Sequence, residues 1–172
     1  FLPGEEKSES NLPRNFALTV LLCDFLLIIG VINSFFNNQF SGIQLAESIN
    51  WIPLIGLKWS LGIDGISAPL VILSGLITLL SAAASWNLRR KNKLYFALLL
   101  VQASAQSLVF LSQDFLLFFL AWELELVPVY LLIAIWGGTN RQYAATKFIL
   151  YTALASLLIL ISGLALAFSG NE

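Results

Sequence analysis

The sequence contains no histidine and a single cysteine, Cys23. One thiol cannot form a disulfide within the chain. Without more Cys or His, the chain alone cannot hold an iron–sulfur cluster, a His-ligated haem or a Cys/His zinc ion. We therefore expect no metal site and no bound cofactor in this chain. A net charge of −1 gives no reason to expect a nucleic-acid partner.

Methionine is also absent, and the chain begins with Phe1. A complete translation product begins with methionine, so we expect a fragment of a longer protein. Because Gly170–Glu172 follow closely on an apolar run, we expect the C-terminus to be cut as well. Acidic residues stand where a secretory signal would carry basic ones, so no such signal is predicted.

Charged residues make up 11% of the sequence, whereas 58% is hydrophobic. Soluble globular domains are about 25% charged, so this composition indicates a membrane protein. Since about 20 apolar residues cross a bilayer, we predict an all-α polytopic membrane protein with about five transmembrane helices. The predicted segments are a loop at 1–14, a helix at 15–36, a loop at 37–65, a helix at 66–86, a basic loop at 87–94, and helices at 95–112, 115–136 and 144–168.

The loop at 37–65 contains an alternating pattern. Leu57, Trp59, Leu61 and Ile63 alternate with smaller or polar residues, which is typical of a strand. With a turn at 54–56, residues 49–53 and 57–63 are predicted to pair as a β-hairpin. The polar face of the third helix predicts that this helix lies inside the bundle.

The basic residues predict the orientation. Five crossings place residues 1–14, 87–94 and 137–143 on the same side of the membrane. That side receives seven of the nine Lys and Arg residues, and basic loops favour the cytoplasmic or stromal side. They are Lys7, Arg14, Arg89, Arg90, Lys91, Lys93 and Arg141.

Two glutamates, Glu123 and Glu125, lie near the middle of the fourth predicted helix. A carboxylate at the bilayer centre costs about 2.5–3.5 kcal/mol even on lenient scales. The two residues are about 200° apart around the helix, so they do not share a face. Pro128 removes a backbone hydrogen bond nearby and predicts a kink. Each glutamate has two open interpretations: a proton carrier, which we favour for Glu123, or a neutral residue that hydrogen-bonds another helix.

Other polar residues in or beside the helices are candidates too. Lys147 is predicted about three residues into the fifth helix, too far from Glu123 for a direct ion pair; it either takes part in a relay or extends to the interface. Asp24 is expected to hydrogen-bond another helix, with a relay role as the alternative. Asp64 and Asp114 are predicted to cap helices or turns. Gln102 and Gln106 are predicted to line water or to bind another helix.

Three stretches resemble the antiporter-like subunits of complex I. They are LKWSLGIDGISAPLVILSGLITLL, LSQDFLLFFLAWELELVPVYLLIAIWGG and RQYAATKFILYT. Within that group, WELELVPVYLL is most similar to the chain 4 subunits of the cyanobacterial and plastid NAD(P)H–plastoquinone oxidoreductase. The three stretches occur in the family's order, and the resemblance covers about residues 50–168.

The resemblance implies a fold of roughly fourteen helices built on inverted repeats, of which this chain holds the second to the sixth, with the hairpin on the lumenal face. It also implies roles for two residues. Glu123 occupies the position of a glutamate that works with a lysine on a later helix, and Lys147 matches the lysine of the ATKF motif. The rest of that proton relay lies outside this sequence.

The function implied is that of a proton-translocating membrane-arm subunit of a photosynthetic complex I in the thylakoid membrane. Electron transfer to plastoquinone would drive the pumping, in a variant for cyclic electron flow and respiration or for CO2 uptake. The resemblance places plastoquinone and the iron–sulfur clusters in other subunits, and implies neighbouring antiporter-like subunits and lipid as partners. The alternatives are a subunit of a multisubunit Na+/H+ antiporter and a structural membrane subunit without its own proton path.

Overall fold

The computed structural model describes residues 11–37, 42–88 and 90–169. Five helices in this part of the chain are long and apolar enough to cross a membrane. The shortest has 18 residues, so it is about 27 Å long and close to the ~30 Å of a hydrocarbon core. The predicted class, an all-α membrane protein with five spans and a hairpin, is confirmed. The helices are α1 (Leu12–Asn37), α2 (Ser67–Ala84), α3 (Asn92–Leu111), α4 (Phe115–Trp136) and α5 (Arg141–Ser169).

Three helices begin earlier than the apolar runs predicted. Helix α1 begins at Leu12, so the predicted loop at 1–14 is wrong for its last three residues, and residues 1–10 lie outside the described part. Helices α3 and α5 begin at Asn92 and Arg141, three residues before the predicted starts. The first turn of a helix tolerates polar residues, because its backbone N–H groups reach interfacial water. Hydrophobicity alone therefore misses that turn.

Helix α3 lies at the centre of the bundle, as its polar face predicted. It packs against α1, α2 and α4, whereas α5 packs against α4. Phe96, which is 1% exposed, fills the space between α3 and its neighbours. The buried side chains around it come from α1, α2 and α3: Ala17, Leu21, Ala82 and Leu99.

The hairpin between α1 and α2 consists of β1 (Gln44–Ile52) and β2 (Leu57–Ile63). The strands pair antiparallel through a 3₁₀ turn at Pro53–Ile55, closed by Gly56 at φ 71°. The first strand begins five residues before the predicted 49–53, while the second has the predicted bounds. The rings of Trp51 and Trp59 meet edge to face at 5.7 Å.

The hairpin is attached to the turn between α3 and α4. The backbone N–H of Gln113 donates to the carbonyl of Ser60 at 2.9 Å, and its side-chain amide donates to the carbonyl of Gly62 at 3.3 Å. A Cβ at Gly62 would lie 2.6 Å from Ile43 Cγ2 and 3.2 Å from Gln113 Cγ. Glycine is therefore what allows the strand to lie so close to this turn.

The opposite end of the bundle is held together by aromatic residues. The Arg14 guanidinium lies 4.0 Å from the centre of the Trp86 ring and donates to the Trp86 carbonyl at 3.3 Å. The indole N–H of Trp136 donates to the carbonyl of Arg90 at 2.9 Å, and its ring meets that of Tyr95 at 5.1 Å. These contacts join α1 and α4 to the loop between α2 and α3.

Candidate proton-transfer residues within the helix bundle

Helix α4 has a buried face toward α3 and carries Glu125 on it. Ala121 and Pro128, one turn before and one turn after Glu125, are both buried. The Gln102 side-chain amide of α3 donates to Glu125 Oε1 at 2.6 Å. This contact gives Glu125 the interhelical hydrogen bond that was one of its two predicted roles, and it fixes the carboxyl group midway along both helices.

Glu123 lies about 200° around the helix from Glu125, at the border between a buried and an exposed face. Leu126 is buried, whereas Leu120 and Val127, its neighbours on the other side, are exposed. One carboxyl oxygen, Oε1, is itself buried and has no hydrogen-bond partner among the described residues. A buried polar atom without a partner is costly, so this oxygen is suited to binding a proton or a donor from outside the described chain.

Lys147 is not brought together with Glu123. It lies six residues after the start of α5 at Arg141, about 9 Å along the helix, which corrects the predicted three residues. Ala145, about 200° away around the helix, is buried, whereas Lys147 is exposed. Its ammonium group lies 4.7 Å from the centre of the Tyr143 ring, an attractive cation–π distance.

Helix α5 contacts α4 through small residues. Ala145 and Ser156 are buried, and a Cβ at Gly163 would collide with the ring of Phe115. Small side chains let two membrane helices approach closely. Lys147 therefore points away from the α4 interface and toward the uncovered surface of the chain.

Asp24 is half-buried on α1 and faces α3 across a cleft. The cleft has a volume of about 160 Å³, and the polar residues beside Asp24 in its lining are Ser104 and Ser107. The predicted hydrogen bond from Asp24 to another helix is not seen within the described ranges. The cleft is large enough to hold water beside the Asp24 carboxyl group.

The two glutamines of α3 both bind neighbouring helices, which was one of the two predicted roles. Gln102 binds Glu125 of α4, and Gln106 Oε1 accepts from the Ser74 hydroxyl of α2 at 2.9 Å. Sequence reasoning found both glutamines by their one-turn spacing, but it missed their partners. The periodicity of a single helix carries no information about which neighbour it meets.

The two remaining aspartates act at helix starts, as predicted. Asp114 Oδ1 accepts from the backbone N–H groups of Leu116 and Leu117 at 2.9 and 3.0 Å, capping α4. Asp64 Oδ1 accepts from the N–H groups of Ser67 and Ile66 at 2.6 and 2.9 Å. The hydrogen bond from the Ser67 backbone, followed by that from Ile66, lowers the pKa of Asp64, because both stabilise its charged form.

The comparisons with known proteins cover almost the whole chain. Residues 12–112 match the sequence model for the amino terminus of NADH-ubiquinone oxidoreductase chain 4. This match spans more than half of the chain. The chain belongs to the NADH-ubiquinone oxidoreductase chain 4 family. Residues 112–171 match a second model, described as the transmembrane region of NADH:quinone oxidoreductase and Mrp antiporters.

Cyanobacterial members of the chain 4 family are similar in sequence. NAD(P)H-quinone oxidoreductase chain 4 1 of Synechococcus elongatus is 60% identical over 92% of this chain, which spans 30% of that protein. NAD(P)H-quinone oxidoreductase chain 4 of Prochlorococcus marinus is 53% identical over 97% of this chain, which spans 31% of that relative. The chain thus spans about a third of the length of these relatives.

A solved structure shows the same fold. A chain of the membrane-bound sulfane sulfur reductase, an archaeal respiratory membrane complex, superimposes with a TM-score of 0.74 over 94% of this chain and 25% of its own length. The identity is 19%, so this likeness concerns the fold alone. In this chain 4 family member, the two sequence models meet at residue 112, between α3 and α4. The hydrogen bond from Gln102 to Glu125 therefore joins the two matched regions.

No group of three or more His, Cys, Asp or Glu side chains that could hold a metal ion occurs among the residues that the structure describes. The candidate residues Asp24, Glu123, Glu125 and Lys147 are dispersed instead over α1, α4 and α5. The arrangement offers carboxyl and ammonium groups at separate positions along the bundle.

Proposed function

We propose that this chain is part of a proton-translocating membrane-arm subunit of a photosynthetic NAD(P)H–quinone oxidoreductase related to complex I. Electron transfer to plastoquinone in the complex would drive protons across the thylakoid membrane. Family membership and the names of the cyanobacterial relatives support this proposal. The observation that carries it is the position of Glu123, a carboxyl group in mid-membrane with one buried oxygen lacking a partner among the described residues.

Glu123 and Lys147 are the residues proposed to carry protons, with Glu125 and Asp24 as secondary candidates. Glu123 lies thirteen residues before Trp136, the end of α4, or about 20 Å from that end. Lys147 lies about 9 Å from the same side, since α5 begins there. The two residues stand at different depths, so we assign them successive positions in a relay rather than one ion pair.

The proposed orientation places the basic ends of the helices on the cytoplasmic or stromal side. Arg14, Arg90 and Arg141 lie at the ends of α1, α3 and α5 that share this side. The hairpin and the turn between α3 and α4 then face the lumen. The positive-inside rule supports this assignment.

Partners and cofactors follow from the same proposal. Other membrane subunits of the complex, including neighbouring antiporter-like subunits, would cover the uncovered face of α5, and lipid the remainder. Plastoquinone and the iron–sulfur clusters would be bound by other subunits. Within the described ranges, the polar side chains inside the bundle carry carboxyl, amide and hydroxyl groups, which can bind protons or hydrogen-bond water.

A second candidate function is transport in a multisubunit Na+/H+ antiporter. The description of the model that matches residues 112–171 names Mrp antiporters as well as the oxidoreductase. Sodium-dependent proton transport by the purified complex would favour this candidate. Identities above 50% to proteins named as oxidoreductase subunits favour the first.

The test is redox-driven proton pumping by the assembled complex in which the full-length subunit carries Glu123→Gln. Glutamine keeps the size of the side chain but cannot bind and release a proton, so pumping should fall while quinone reduction and assembly on native gels persist. Glu125→Gln, two residues away, is measured beside it so that the two carboxyl groups can be compared. Unchanged pumping in Glu123→Gln would leave a structural role for this half of the subunit and overturn the proposal.

A further inference from the structure

One hydrogen bond joins α3 and α4 deep inside the bundle. The Gln102 amide nitrogen Nε2 lies 2.6 Å from Glu125 Oε1. Both side chains are half-buried. Gln102 lies ten residues after the start of α3 at Asn92, and Glu125 lies ten residues after the start of α4 at Phe115. A charged partner makes a hydrogen bond stronger than a neutral one, so an ionised Glu125 would bind this amide more tightly than a neutral one.

The other end of the Gln102 amide is free among the described residues. Its oxygen, Oε1, is buried and has no hydrogen-bond partner there. Gln106, one turn along α3, differs because its Oε1 accepts from the Ser74 hydroxyl at 2.9 Å. A side-chain amide has donors on one atom and acceptors on the other. Rotating the Gln102 amide by half a turn therefore exchanges a donor for an acceptor in front of Glu125.

We propose that Gln102 and Glu125 form a second proton-binding site between α3 and α4, in which the amide stays hydrogen-bonded to the carboxyl group in both of its protonation states. When Glu125 is ionised, Oε1 accepts from Gln102 Nε2. When a proton binds to that carboxylate oxygen, the new O–H donates to Gln102 Oε1 after the amide rotates. The proton is the only species gained or lost, and the contact between the helices is kept.

Among the described residues, Glu125 is hydrogen-bonded by the Gln102 amide and not by the other charged or titratable groups near α4. Glu123 is on another face of the same helix, and the Lys147 ammonium group lies 4.7 Å from the centre of the Tyr143 ring. The Tyr95 hydroxyl lies 2.6 Å from the Ser85 hydroxyl. None of the titratable groups on α4 and on the described elements packed against it makes a hydrogen bond or ion pair with Glu125: Glu123, Tyr130, Lys58, Lys93, Tyr95, Arg141, Tyr143, Lys147 and Tyr151.

The site has a consequence for the bundle that a lone glutamate would not have. A protonated carboxyl group is a weaker acceptor than a carboxylate and gains an O–H donor, so a partner that can only donate holds it less tightly. Here the amide offers an acceptor in place of the donor, and α3 and α4 stay together during proton uptake. Only the use of this proton in pumping rests on the proposed function; its binding does not.

The experiment is infrared difference spectroscopy of the assembled complex in its membrane, recorded between neutral and acidic pH. The wild type should show a carboxylic-acid C=O band that disappears in Glu125→Gln. In Gln102→Met, which keeps the length of the side chain without hydrogen-bonding groups, this band should move to higher wavenumber, because a carbonyl freed from hydrogen bonding vibrates faster. Gln106→Met is the matched control and should leave the band in place.

Three results would overturn the proposal. The first is a wild-type spectrum from which Glu125→Gln removes no band, since Glu125 would then exchange no proton. The second is an unshifted band in Gln102→Met. The third result applies if Gln102→Met does not assemble. It is a wild-type band at the wavenumber of a carboxyl group without hydrogen bonds, rather than at that of a hydrogen-bonded one.

Proton pumping measured on the same membranes separates this proposal from the function above. Loss of pumping in Glu123→Gln together with no Glu125 band would retain the function and reject the second site. A shifted Glu125 band with normal pumping in Glu123→Gln would retain the site and reject the assigned role of Glu123.

Discussion

Helices α3 and α5 have similar hydrophobicity but opposite surroundings. Helix α3 packs against three helices and the hairpin, and its glutamines bind side chains of α2 and α4. Helix α5 packs against α4, and 6% of its membrane-spanning part is buried, compared with 22% for α3. Lys147 lies on the uncovered part of α5. The glutamines of α3 thus bind other helices of this chain. Lys147 of α5 instead lies on a surface that no described helix covers.

The largest expected effect comes from emptying the space around α3. Phe96→Ala removes a ring that is 1% exposed, and such truncations cost about 3–5 kcal/mol because a cavity remains. The thermal stability of the assembled complex, followed on native gels after heating, should fall sharply. Leu150→Ala on α5, where the side chain is 64% exposed, is the control and should change little. Equal losses in both variants would show that α5 is as well packed as α3 in the complex.

A smaller effect is expected where α5 touches α4. Gly163→Val places carbon atoms where the Phe115 ring lies, and overpacking costs about 1–3 kcal/mol. The same heating experiment should show an intermediate loss. Gly30→Val on α1 is the matched control, since no atom lies within 4 Å of a Cβ added at Gly30. A stable Gly163→Val variant would mean that α5 does not depend on this close approach.

A still smaller effect should follow pH at the hairpin side of α2. The pKa of Asp64 is lowered in the folded chain by the Ser67 and Ile66 N–H groups. Its contribution to stability is therefore present above the ordinary carboxyl pKa of about 3.9 and is lost as the pH falls through the lowered value. Asp64→Asn should melt slightly below wild type at neutral pH, and the two melting temperatures should converge in acid. A difference in melting temperature that stays constant with pH would mean that the shape of the Asp64 side chain matters, rather than its charge.

The smallest effect on stability is expected at Lys147. Lys147→Gln removes an exposed charge whose described contact is with Tyr143, and surface changes of this kind stay within about 0.5 kcal/mol. Proton pumping should nevertheless fall if Lys147 carries protons. Lys93→Gln, an exposed lysine in the first turn of α3, is the control and should pump normally. A strongly destabilised Lys147→Gln would instead make this lysine a structural contact.

The sequence predicted both ends of α4 correctly, because residues that start and end helices flank the apolar run on both sides. Asp114 caps its start, and Gly137 and Gly138 end it. The start of α5 was missed because its first turn is polar. The pairing of Gln102 with Glu125 was not predictable either, since it depends on how two helices rotate against each other. The face on which Lys147 lies was hidden for a related reason: apolar residues surround α5, so no stripe distinguishes the α4 side.

The hydrogen bond between the backbones of Ser60 and Gln113 connects the hairpin mechanically to α4. Gln113 directly precedes the cap residue Asp114, so the hairpin and the first turn of α4 form one lever. A load applied to the strands, by a neighbouring protein or by a change in bilayer thickness, would act on the axis of the helix that carries both glutamates. Displacing the hairpin would therefore displace the start of α4 with it.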